Sequence, residues 1–301
     1  MDTILIEIMS IFLIIGIGYF LKRIDFLSEE DVHPLNKIVM YVFLPCMIFE
    51  ALYNADLTLI LKLGILPFAS LFSSFITGLI SYFILKRLGF DDKKLWSVLI
   101  TVMIANTAAI GYPITLGIYG EAGFLRAIFC DIASLITFLL LSFVLTLKFE
   151  GSAKKSIKKI ALFPPVWALI LGILLNLANI PIGGILENTI DYLGQGLTPL
   201  IMIALGLSLD LSAIRRSKSM IAFTSIMKLL FFPFIVFLFV SQIGLSNLEL
   251  SIPVVQAAMP SAMLSLLLAI TYKLDYELTS DCILINTLVS LITIPIIIML
   301  L

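Results

Sequence analysis

Long apolar runs dominate the chain, cut at short intervals by charged residues or by Gly, Pro and Asn. Ten runs stand out, at about Ile4–Leu21, Leu35–Tyr53, Ile60–Leu85, Leu95–Tyr119, Phe124–Leu147, Ile160–Ala178, Ile185–Leu209, Met220–Gln242, Leu250–Tyr272 and Leu278–Leu300. Each is near the roughly 20 residues that a helix needs to cross a bilayer core. The pattern therefore predicts an all-α integral membrane protein with ten transmembrane helices joined by short loops. Composition agrees: with 61% hydrophobic and 13% charged residues among 301, too little polar surface exists to clothe a soluble globule. The first run lacks a basic leader and a small-residue cleavage site, so it reads as the first span, not a removable signal.

The net charge of −1 says little, but the position of each positive charge says much. If the ten spans alternate, sixteen of the 19 Lys and Arg fall in loops on one face, only Lys62 and Arg126 fall on the other, and Lys228 lies within a span. Basic residues are retained on the cytoplasmic side. Both termini are thus expected outside, with the basic connection 149–159 in the cytoplasm, in a multi-pass protein of the cell membrane.

An internal repeat is visible. Pro45–Leu57 aligns without gaps with Pro199–Leu211, 154 positions on, and Ser134-Leu-Ile-Thr137 recurs as Ser290-Leu-Ile-Thr293, 156 positions on. Two nearly equal offsets, each close to half the chain, predict two halves: residues 1–148 and 160–301, joined by the short linker. Five spans per half is an odd number, so the halves must be oppositely oriented, the inverted-repeat arrangement of many secondary transporters.

The fourth span contains Asn106-Thr-Ala-Ala-Ile-Gly111-Tyr-Pro113, and the ninth contains Gln256-Ala-Ala-Met-Pro260-Ser261, at the equivalent depth of the repeat. Proline removes a backbone donor and clashes with the preceding turn. Broken backbone in mid-membrane survives only where it is buried in protein or lines a cavity. Opened half-helix N-termini would present N–H groups and a positive pole suited to a carboxylate. Asn106, Thr107, Gly111, Pro113, Gln256, Met259, Pro260 and Ser261 are therefore the candidate substrate site; the plainer alternative is a pair of proline kinks satisfied by neighbouring helices.

Leu35-Asn-Lys-Ile-Val-Met-Tyr-Val-Phe-Leu-Pro45, the Asn-Thr-x-x-x-Gly-x-Pro of Asn106–Pro113, the Pro199–Leu209 segment and Gln256-Ala-Ala-Met-Pro260 together resemble the auxin efflux carrier family. That family includes the plant PIN carriers and prokaryotic permeases, some assigned to malate or malonate. The resemblance runs along nearly the whole chain. It implies that the fourth and ninth helices cross where they unwind, with substrate beside the crossing, and that Asn106, Pro113 and Pro260 are crossover residues. The short Lys148–Lys159 connection departs from the long hydrophilic loop of many plant members, so regulation through such a loop is not expected. Nor does the resemblance fix one substrate, because family members carry different organic anions.

Ionisable residues inside spans are costly and mark functional candidates. Glu50, Asp131, Lys228 and Asp281 are the four, with roles in charge neutralisation or proton coupling. Lys228, the deepest, either neutralises the substrate or pairs with Asp131 or Glu50. Gln195, Asn286 and Asn176 read as hydrogen-bonding glue between helices. Cys46, Cys130 and Cys282 fall in apolar runs and read as small buried hydrophobes. One histidine, His33, in an acidic loop, and the lack of an HExxH pattern leave no metal-ligand set. The pattern also holds no phosphate-cradling loop, no catalytic constellation and no cofactor motif.

The expected function is a secondary transporter of a small organic anion, a carboxylate, working by alternating access; a passive anion channel and an intramembrane enzyme are the alternatives. Expected partners are the anion, the lipid bilayer, a coupling proton or ion and a second copy of the chain, with no nucleic acid. Topology is testable in a cysteine-free background. A cysteine at Ser152 should be labelled only from the cytoplasm and one at Ser246 only from outside; labelling of both from one face would remove the odd-numbered half.

Overall fold

The computed structural model describes residues 2–55, 63–150, 164–208, 218–245 and 247–301. Outside them lie Lys62, Ser152, the Lys154–Lys159 cluster, Arg215, Arg216, Ser246 and the ends of the aligned repeat at Asp56-Leu57 and Leu209–Leu211; the His33 side chain is not described either. In chain order the helices are α1 (Asp2–Arg23), α2 (Val32–Ile38), α3 (Leu44–Tyr53), α4 (Ile65–Arg87), α5 (Asp92–Met103), α6 (Tyr112–Leu145), α7 (Pro164–Leu177), α8 (Gly184–Gln195), α9 (Leu197–Ser208), α10 (Lys218–Ile226), α11 (Phe232–Gln242), α12 (Leu248–Ala258), α13 (Met263–Thr271) and α14 (Tyr276–Leu300). Among the described residues, four helical stretches are long and apolar enough to cross a membrane: Ile65–Arg87, Thr107–Phe149, Lys218–Gln242 and Tyr276–Leu300.

The helices gather into two compact units, Met1–Lys62 with Ile157–Leu209, and Leu63–Ser156 with Asp210–Leu301. Each unit draws on both halves of the sequence. In the first, α1 packs along α9 and α7 packs along α3. Lipid gives apolar helices no hydrophobic reason to associate, so close backbone contact through small residues must do it. A Cβ on Gly18 would overlap the Ile203 carbonyl, one on Gly206 would overlap that of Ile15, and one on Gly172 would stand 3.0 Å from the Phe49 carbonyl oxygen. Gly18 and Gly172 are 154 positions apart, the spacing of the aligned proline segments. Asn176 closes the same packing, its amide donating to the Leu52 and Ala55 carbonyls at 2.8 and 2.7 Å.

In the second unit, beside buried apolar clusters such as Leu95, Val98 and Val102, α4 turns hydroxyls inward and large apolar side chains outward. On α4, Ser73, Ser74, Thr77 and Ser81 are buried, whereas Phe68, Leu79 and Phe83 are more than half exposed. Thr77 and Ser81 donate back to the carbonyls four residues earlier, so their hydroxyls need no water. Such an arrangement suits a solvent of hydrocarbon.

Three prolines share one device. Val39–Phe43, Thr107–Gly111 and Met227–Phe231 are π-turns, and each is followed two residues later by proline: Pro45, Pro113 and Pro233. Proline cannot donate to the carbonyl four residues back and its ring collides with it. The wider turn carries that carbonyl aside and lets the helix continue.

The fourth and fifth spans, expected to part between Tyr119 and Phe124, meet there at a kink inside α6, where Gly120 (φ 63°, ψ −165°) takes a conformation open to a residue without Cβ. The seventh, expected as one run over Ile185–Leu209, is divided at Gly196 into α8 and α9. Pro199 lacks the N–H that would bond the Gln195 carbonyl, so a continuous helix is interrupted there.

Replacing Gly206 with Val should force α1 and α9 apart and cost about 3 kcal/mol, read as a lower melting temperature in detergent. Gly16→Val, where an added Cβ meets nothing within 4 Å, is the control that should leave it unchanged.

Candidate functional site

Helix α5 stops at Met103 because the chain turns extended at Ile104 (φ −102°, ψ 111°), and α12 stops at Ala258 because Met259 does the same (φ −60°, ψ 146°). The two extended stretches run antiparallel. Asn106 N–H donates to the Pro260 carbonyl at 2.7 Å and Ala262 N–H to the Ile104 carbonyl at 3.0 Å, either side of the Ala105–Ser261 bridge. Ala105 and Ser261 are 156 positions apart, and the same shift turns each of the two hydrogen bonds into the other. The pairing thus exchanges equivalent residues of the repeat.

A broken helix leaves carbonyls without their usual donors. Here they are supplied from outside the helix. Ser261 Oγ donates to the Thr101 carbonyl at 2.7 Å, Ser265 Oγ to that of Ile100 at 2.9 Å, and Ser74 Oγ to that of Met103 at 3.0 Å. On α12 the carbonyl of Ala257, which an unbroken helix would satisfy with Ser261 N–H, accepts from Lys228 Nζ at 2.8 Å. The Lys228 side chain is fully buried and its ammonium lies 4.4 Å from the centre of the Phe232 ring. No carboxylate pairs with Lys228 among the described residues. A cation at a helix C-terminus also complements the negative pole there.

The N-terminal ends are treated differently. Neither Asn106, before the Thr107–Gly111 turn, nor Ala262, before α13, makes a side-chain cap. Asn106 is 6% exposed, and its amide nitrogen has no hydrogen-bond partner among the described residues. Gln256 spans the two halves: Nε2 donates to Thr115 Oγ1 at 3.2 Å, and Oε1, also without a partner among the described residues, lies where a Cβ on Gly111 would be. Glycine at 111 is what admits it.

A family profile described as membrane transport protein matches residues 3–298. The chain belongs to the auxin efflux carrier family. It is 36% identical over 96% of its length to an uncharacterised transporter of Methanothermobacter thermautotrophicus, covering 95% of that protein, and 33% identical over 98% to one of Methanocaldococcus jannaschii, covering 96% of it. A more distant relative, the uncharacterised transporter YfdV of Escherichia coli, is 23% identical over 96% of the chain and 95% of its own length. Family and apolar helices together make this a multi-pass membrane transport protein.

Within this family member the eight crossover candidates come together in the second unit, at or beside the paired stretches. Of the four ionisable candidates, Asp131, Lys228 and Asp281 belong to that unit, and Glu50 belongs to the first, where it packs against Gly194. Thr107 and Tyr112 donate to Asp131. Residues that the sequence did not single out complete the crossover: Ser74, Thr101, Thr115 and Ser265. Asn286, expected as glue, accepts from Ser225 at 2.6 Å and donates to Ser261 Oγ at 2.8 Å, buttressing the bridge. Small hydroxyls in apolar helices were the signal for them. An apolar furrow of about 460 Å³ between Pro45, Phe49, Trp167, Leu171 and Ile190 lies in the first unit and has no charged residue in its lining. In the first loop, Ser28 N–H and hydroxyl, at 2.7 and 2.9 Å, hold the Asp31 carboxyl below its ordinary value; this is a local turn closure.

Lys228→Met should strand the Ala257 carbonyl and cost about 1–3 kcal/mol, seen as a lower melting temperature of the purified protein. An unchanged melting temperature would show that the ammonium does not hold the broken helix end.

Proposed function

We propose that the protein is a secondary transporter that moves a small organic anion, a carboxylate, by alternating access, with the anion bound at the crossover. Its ten spans form two inverted five-helix halves, 1–148 and 160–301, joined by the cytoplasmic linker 149–159, with both termini outside the cell membrane. Support for the inverted halves comes from the shift of 154 to 156 positions, which relates the aligned sequence segments, Gly18 to Gly172, and the two partners of the crossover bridge.

The observation that carries the anion reading is the polarity of the crossover. Carbonyl ends of the broken helices are capped by Ser74, Ser261, Ser265 and Lys228, while the half-helix N-termini have no side-chain cap and Asn106 holds a buried amide donor in reserve. A site that caps the carbonyl ends of its broken helices and leaves the N–H ends uncapped favours an acceptor-only, negatively charged group, the Gln256 Oε1 being an acceptor that it leaves open. A carboxylate fits that description.

Purified protein screened against mono- and dicarboxylates should show a rise in melting temperature with its substrate, since a ligand that binds the native state stabilises it. Reconstituted protein should then show saturable uptake accelerated by substrate on the far side; flux that neither saturates nor exchanges would favour a channel. Asn106→Ala should weaken binding by about tenfold or more, the worth of one hydrogen bond to a charged partner, and unaltered affinity would move the anion away from the crossover.

A further inference from the structure

Asp131 lies in α6, within a stretch apolar enough to cross a membrane, and both of its oxygens are engaged. Thr107 Oγ1 donates to Oδ1, and the Tyr112 hydroxyl donates to Oδ2 at 2.8 Å. These donors bracket the π-turn that opens the half-helix: Thr107 is its first residue and Tyr112 directly follows its last. Thr107 Oγ1 also stands 3.3 Å from Ser134 Oγ. The carboxylate is therefore tied to the same helix N-terminus at which the anion is read to bind.

No cation accompanies it among the described residues. Of the elements packed against α6, α4 carries charge only at Lys86 and Arg87 in its last turn, α12 carries only Glu249, and α13 carries none. Glu249 is engaged by Arg126, whose Nε donates to it at 2.9 Å. Helix α5 bears Asp92, Lys93 and Lys94 in its first turn, and Asp92 pairs with Lys148 of the Thr146–Glu150 turn at 2.7 Å. On α6 itself the ionisable neighbours are the Tyr112 phenol and the Cys130 thiol, with Glu121 and Arg126 nearer the helix start. Lys228 is committed to Ala257.

We propose that Asp131 is the binding site of a coupling proton, so that the carrier loads its anion only when Asp131 is neutral and the proton travels with the anion. This rests on the carboxylate reading above. Two negative charges at one positive pole repel each other, so a charged Asp131 and a bound carboxylate are alternatives. The hydrogen bonds already present accept a proton without loss. A proton taken from water onto Oδ1 donates to Thr107 Oγ1, the Thr107 hydrogen turns to Ser134 Oγ, and Tyr112 continues to donate to Oδ2. On the opposite side the proton returns to water and no bond in the cargo changes.

The test is binding of lactate and malate to the purified full chain by calorimetry at about pH 6 and about pH 8, where lactate is fully ionised and malate largely so. Wild-type affinity should fall with rising pH, by up to about tenfold per unit, and binding in weak buffer should draw in a proton. Asp131→Asn, which keeps the hydrogen-bonding shape without the charge, should bind at about pH 8 as tightly as wild type at about pH 6, with no proton uptake. Equal wild-type affinity at both pH values would overturn the proposal. So would an Asp131→Asn variant weaker than wild type at both, the mark of a merely structural carboxyl, or affinity that follows sodium at fixed pH. If neither probe binds, these two carboxylates are not the cargo, and the carboxylate reading falls back on the wider screen above. The proton is then followed without ligand: an infrared band of a protonated carboxyl that titrates in wild type and is missing in Asp131→Asn supports the site, and its absence in wild type refutes it.

Discussion

Two helices that stop inside an apolar layer leave backbone groups that water cannot reach, and every feature of the second unit answers that constraint. The two extended stretches satisfy each other through Asn106–Pro260 and Ala262–Ile104, and hydroxyls from α4 and α13, with the Lys228 ammonium, take up the carbonyls left over. Without these partners each orphaned group would cost on the order of 1–3 kcal/mol or more, and an unbroken helix would win. Unwound backbone is thus held open by its surroundings, as a binding surface needs to be.

The same constraint explains what the sequence revealed. Apolar runs, prolines and the repeat spacing are local or periodic signals; Pro260 marked the ninth-span break directly beside Met259, whereas Gly111 and Pro113 lie in the turn and helix that follow the break at Ile104–Asn106. Boundaries inside an apolar run were less legible: the parting at Gly120 was read, but the division at Gly196 was not. Partnerships across the fold were not legible at all. Lys228 is 29 positions from Ala257 and Ser261 is 160 from Thr101. Depth alone therefore marked Lys228 as costly without naming the carbonyl that it serves, and a carboxylate partner was the natural but mistaken alternative.

Charge is used sparingly and with a different purpose at each place. Arg126 and Glu249 join α6 to α12 near the helix starts, a pair that stays partly exposed and so avoids the full penalty of burial. Lys228 is buried completely, and its hydrogen bond and ring contact replace hydration. Asp131 keeps two hydroxyl donors and no counter-ion among the described residues. One charge fastens, one caps and one is left balanced by neutral groups alone.

The crossing of Ile104–Asn106 with Pro260–Ala262 is stitched by main-chain atoms. A family can therefore exchange side chains around it and recognise new cargo while the scaffold persists. Changes of length are another matter. Inserting or deleting a single residue in either stretch would slide one strand past the other, offer carbonyl to carbonyl and N–H to N–H, and turn every neighbouring side chain to the opposite face. The crossing tolerates substitution and forbids slippage.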